Sequence, residues 1–114
     1  NYKIIRKIFN KKNKKIIIPV FYRLQKSWEE KLFETEIRQS ADDEMCVFHL
    51  KNKKQDSTLR IVYPGFAKII ISITHEGLDS PENKEIQLPL TKISQKELVA
   101  IVEDFIINFK YTSE

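Results

Sequence analysis

The side chains here that could do chemistry are two histidines, one cysteine and a run of carboxylates. His49 and His75 both fall in or beside segments that read as strands. Two histidines across a cleft can act as base and acid in RNA cleavage, with Lys68 or Lys51 stabilising the phosphate charge. The ordinary alternative is one partly buried and one surface histidine. Cys46 stands three residues from His49, and strand neighbours three apart point to opposite faces. The two therefore form no nucleophilic pair, and Cys46 reads as a small buried side chain.

The carboxylates are Glu29, Glu30, Glu34, Glu36, Asp42, Asp43 and Glu44, against only Lys31 and Arg38 in the same stretch. A helix dipole would account for Glu29 and Glu30 and leave the others. A solvated face is the plain explanation. The functional one is a surface of one sign that steers a basic partner. The spacing is not that of a calcium loop. Other chemistry is absent from the sequence. Its two glycines, Gly65 and Gly77, stand in separate turns and build no phosphate loop. One cysteine excludes both a multi-cysteine zinc site and an internal disulfide. No serine has a nucleophile-elbow context. No cofactor, metal or small-molecule substrate is expected.

The net charge of +4 hides an asymmetry. Residues 1–26 carry nine basic side chains (Lys3, Arg6, Lys7, Lys11, Lys12, Lys14, Lys15, Arg23 and Lys26) and no acid; the remaining 88 residues hold 11 basic and 16 acidic groups. Clustered lysines such as those of Asn10–Lys15 can contact phosphates, and they also make ordinary solvated turns.

These residues need elements to place them. The chain is organised around Thr58–His75, where Leu59, Ile61 and Tyr63, then Ala67, Ile69, Ile71 and Ile73, alternate as in a pleated hairpin. Pro64-Gly65 suits a type II turn, whose twist calls for a longer loop or a bulge beside it. The second strand is apolar on nearly both faces, which predicts cover on each side. Before the hairpin, Tyr2–Phe9 predicts a short amphipathic helix, with a strand as the alternative, and Asn10–Lys15 a polar loop. Ile16–Leu24 predicts a strand that Pro19 confines to an edge or a bulge. Ser27 with Glu30 makes a capping box for a helix from Trp28 to about Gln39, although Phe33, Thr35 and Ile37 also alternate as a strand would. Ser40–Glu44 connects to a strand at Met45–Lys51, with Met45, Val47 and His49 on one face and Cys46, Phe48 and Leu50 on the other. Asn52–Ser57 is a polar turn. Glu76–Asn83 is a loop, and Ile86, Leu88 and Leu90 mark a last short edge strand beside Pro89. Ser94 and Glu97 cap the clearest helix, whose Leu98, Ile101, Val102, Phe105, Ile106 and Phe109 form one apolar stripe.

The expected architecture is a single α+β domain over residues 1–114. An antiparallel sheet built on the hairpin at residues 58–75 is covered on one face by the helix at 94–109, with shorter N-terminal helices. The lone cysteine and the lack of any apolar run of membrane-spanning length make a cytoplasmic protein the expectation. In size, α+β pattern, lack of a catalytic set and acidic segment Glu29–Glu44, the chain resembles the small bacterial immunity proteins of contact-dependent growth inhibition systems. That resemblance implies a non-enzymatic inhibitor that binds a cognate protein toxin, such as a basic nuclease, through the seven acids. The basic segment at residues 1–26 departs from the usual acidic balance of such proteins. The alternatives are nucleic-acid binding through that basic segment, or a small ribonuclease using His49 and His75.

Overall fold

Phe9, Asn13, Ile17, the adjacent pair Val20 and Phe21, and Leu24 are buried, each position three or four residues from the next along the stripe. Such spacing is the period of a helix, and the segment is one. In the computed structural model, which describes residues 2–28, 34–42, 44–52, 55–76 and 82–112, helix α1 (Tyr2–Lys12) passes through a π-helical turn (Asn13–Ile17) into α2 (Ile18–Trp28). The loop expected at Asn10–Lys15 and the strand expected at Ile16–Leu24 are both helical. Three successive isoleucines and Pro19 argue for a strand, but the longer-range stripe decides. Pro19 has no N–H, and its ring crowds the carbonyl of the residue four back, Lys15. The π turn widens the helix just before it, so that the Ile18 N–H reaches back five residues to the Asn13 carbonyl.

The second correction concerns residues 28–39. Glu34–Gln39 is strand β1, the alternating pattern of Thr35 and Ile37 having prevailed. Glu29, Glu30 and Phe33 lie outside the described residues, and Ser27, expected to cap the start of a helix at Trp28, lies instead in the last turn of α2, which ends at Trp28. Strands β2 (Met45–Lys51), β3 (Asp56–Val62), β4 (Lys68–Glu76) and β5 (Glu82–Pro89) follow in a wholly antiparallel meander, ordered β1-β2-β3-β4-β5. The β3–β4 hairpin is the one the sequence predicts. Its loop exceeds two residues, and Gly65 takes φ 96°, a value that favours glycine. As expected, β5 is an edge strand with Pro89 at its end, though it begins earlier, at Glu82.

One face of the sheet is buried. Cys46, Phe48 and Leu50 of β2, Ser57, Leu59 and Ile61 of β3, Ile69, Ile71, Ile73 and His75 of β4 and Leu88 of β5 all point inward. Helix α3 (Gln95–Thr112) lays Leu98, Val102, Phe105, Ile106 and Phe109 into this core. Its start is held by Ser94, whose Oγ accepts the Glu97 N–H at 3.2 Å. Fully burying side chains of this size contributes about 1.5–3 kcal/mol each. Phe48 sits at the middle, tilted against Phe21 of α2 (5.3 Å) and edge-on to Phe105 of α3 (6.2 Å). Further along, Phe9 of α1 stacks on Tyr63 at 4.5 Å. Both helical elements thus share the inner face. No described element covers the outer one, where Ile70, Ser72 and Thr74 stay half-exposed, so the expectation that β4 is covered on both sides fails.

Candidate functional site

The two histidines do not meet. In the β2–β3–β4 ladder His49 pairs with Thr58, whereas His75 pairs with Ser57, so their side chains lie on opposite faces of the sheet. His49 faces outward, with its Nε2 against the Asp56 carboxylate. His75 faces inward, where its Nδ1 shares a 2.7 Å hydrogen bond with Ser57 Oγ and its ring stacks on Phe105. Gln55 Nε2 donates to the same Ser57 oxygen at 3.4 Å. A serine within reach of a histidine has the form of a nucleophile and its base. Ser57, however, is wholly buried, so this trio is a satisfied polar group of the core. The paired-histidine ribonuclease is therefore not assembled by this fold. Nothing in the spacing of Gln55, Ser57 and His75 announces the trio, because it forms across strands.

The expected anionic surface is divided. Glu29, Glu30 and Asp43 lie outside the described residues. Glu34 and Glu36 point outward from β1, opposite Lys51 and His49. Glu36 is spanned by Arg38 at 2.9 and 3.2 Å. Glu44 pairs with Arg6 of α1 at 2.8 Å, which ties the β1–β2 turn to the N-terminal helix. Asp42 belongs to that turn: its carboxylate accepts from Ser40 Oγ at 2.5 Å and from the Glu44 N–H at 3.1 Å. The Ser40 hydroxyl, then the Glu44 amide, hold its carboxyl below the ordinary value. Among the described residues, then, Glu36 and Glu44 are matched by cations and Asp42 serves its own turn.

The cations behave differently. The unbroken helix from Tyr2 to Trp28 gathers them on one element. Lys12 reaches inward, its Nζ donating to the Ile93 carbonyl at 3.2 Å, and Arg6 takes Glu44. Lys7, Lys11, Lys14, Lys15 and Lys26 are exposed, opposite the buried stripe of Phe9, Asn13, Ile17 and Leu24. Pro19 and Tyr22 fill the gap along the same ridge, with Tyr22 51 % exposed. The first carboxylate after the start of the chain is Glu29, so no acid interrupts the ridge. At about 1.5 Å per residue, Lys7 to Lys26 spans roughly 28 Å. Reading Asn10–Lys15 as a loop hides this alignment; the recurrence at residues 7, 11 and 15 could have revealed it.

No family model, curated protein or solved structure matches the chain. No helix among the described residues is long and apolar enough to cross a membrane. The described residues contain no cluster of metal-ligating side chains.

Proposed function

We propose that the protein is a binding domain that holds a nucleic acid by its phosphate backbone along the exposed ridge of the N-terminal helix. The observation that carries this reading is the alignment of Lys7, Lys11, Lys14, Lys15 and Lys26 on one helical element with no carboxylate among them. Lysines in such a row neutralise successive phosphates and release counterions. Arg23 lies beside the ridge, but no described Asn or Gln of the helix is exposed to read base edges in the usual bidentate way. A row of lysines of this kind grips the phosphate backbone, a contact that carries no sequence information directly. Tyr22 offers one ring on which an unpaired base can stack.

The test is fluorescence anisotropy with labelled single- and double-stranded oligonucleotides. A triple variant, Lys7→Glu, Lys11→Glu and Lys15→Glu, should bind far more weakly, and the slope of log K against log salt should shrink by about 3. Equal binding by that variant, with an unchanged circular dichroism spectrum, would overturn the reading.

A second reading keeps the protein partner that the resemblance to immunity proteins implies. It is favoured by the placement of Glu34 and Glu36 on the outward row of an edge strand, with Asp42 in the turn that follows. A basic toxin docking beside β1 would meet those carboxylates. Glu34→Lys with Asp42→Lys should then slow association with such a toxin, chiefly through the on-rate. An unaltered association rate would remove this site.

A further inference from the structure

The outer face of the sheet carries a groove that neither reading uses. Arg38 of β1, Val47 of β2 and Arg60 of β3 stand in one cross-strand row, Arg38 opposite Val47 and Val47 opposite Arg60. At about 4.8 Å per strand the two arginines flank Val47 roughly 10 Å apart. The hollow between them measures about 320 Å³. Met45 and Val47 supply its apolar floor, and Ser40 and Thr58 supply hydroxyls at its rim. Among the described residues no carboxylate lines it. Arg38 is engaged by Glu36, whereas the exposed Arg60 makes no ion pair among the described residues.

We infer that this groove receives an extended acidic peptide segment of a partner protein, with a carboxylate on Arg60 and a neighbouring apolar side chain on Val47 and Met45. Three features favour this occupant. The hollow opens to solvent on the outer face of the sheet, so it can cover one side of an extended chain. A free guanidinium takes a carboxylate through two parallel hydrogen bonds. Its apolar floor also suits the side-chain alternation of an extended peptide, which sends every second residue to one face. The site is independent of the nucleic-acid ridge, because the helices lie on the other face of the sheet.

The experiment uses the whole chain and a fluorescein-labelled peptide of alternating glutamate and leucine, with the alternating lysine and leucine peptide as control. Binding of the acidic peptide, with amide shift changes in Val47, Thr58 and Arg60 and none in Lys7 or Lys11, is the expected result. Arg60→Glu should weaken it by roughly tenfold or more, the effect of one lost charge-assisted contact, and Arg60→Lys by less. Equal binding of the two peptides, shift changes confined to the helix, or full affinity in a folded Arg60→Glu variant would each overturn the inference. An oligonucleotide that fails to displace the peptide separates this site from the ridge.

Discussion

Cys46 illustrates how burial alone sets the chemistry of a side chain. It is 2 % exposed, and loss of solvation raises its thiol from the ordinary 9.0 to about 12. Only a thiolate reacts with alkylating agents, so the native protein should resist iodoacetamide at pH 8–9 and react once denatured. A native rate equal to that of a free thiol would contradict the packing of β2. The raised value also fixes a sign. Above pH 9 the unfolded thiol loses its proton first, so its contribution to stability falls as pH rises towards about 12. The sequence disclosed this residue correctly, because strand alternation at Met45–Lys51 already places Cys46 with Phe48 and Leu50. It could not disclose the Ser57–His75 bond, whose partners are 18 residues apart and meet only through the register of β3 on β4.

At the scale of elements, the N-terminal helix is where local and longer-range patterns disagree. Ile16, Ile17 and Ile18 have branched side chains suited to a strand, and Pro19 normally ends a helix. The structure instead inserts a π turn, which keeps Phe9, Ile17, Phe21 and Leu24 on the core. That turn carries a cost of its own. Asn13 is buried within it, and its Oδ1 has no hydrogen-bond partner among the described residues. Such a group costs about 1–3 kcal/mol in lost solvation. Asn13→Leu should therefore raise the midpoint of urea denaturation; a lowered midpoint would contradict this placement of the Asn13 side chain. The hairpin at residues 58–75 and the stripe of α3 were legible because one periodicity holds throughout each. Residues 34–39 fit both helix and strand patterns, and pairing with β2 settled them as strand β1.

For the whole molecule, the arrangement is a single-faced sandwich: helices on the inner face of a five-stranded meander, with a mixed-charge outer face left open. The sequence reveals the separation of charge between the first 26 residues and the rest. Which charges remain available depends on the fold. Pairing of Arg6 with Glu44 and of Arg38 with Glu36 uses anionic groups of the β1–β2 region, while the helix ridge keeps its lysines. The decisive measurement is the affinity of the unmodified protein for a labelled oligonucleotide duplex across a series of salt concentrations. Five lysines on phosphates predict a slope of log K against log salt of about −4 to −5. A flat dependence, or no binding at the lowest salt, would contradict the assignment of the helix ridge as a nucleic-acid surface.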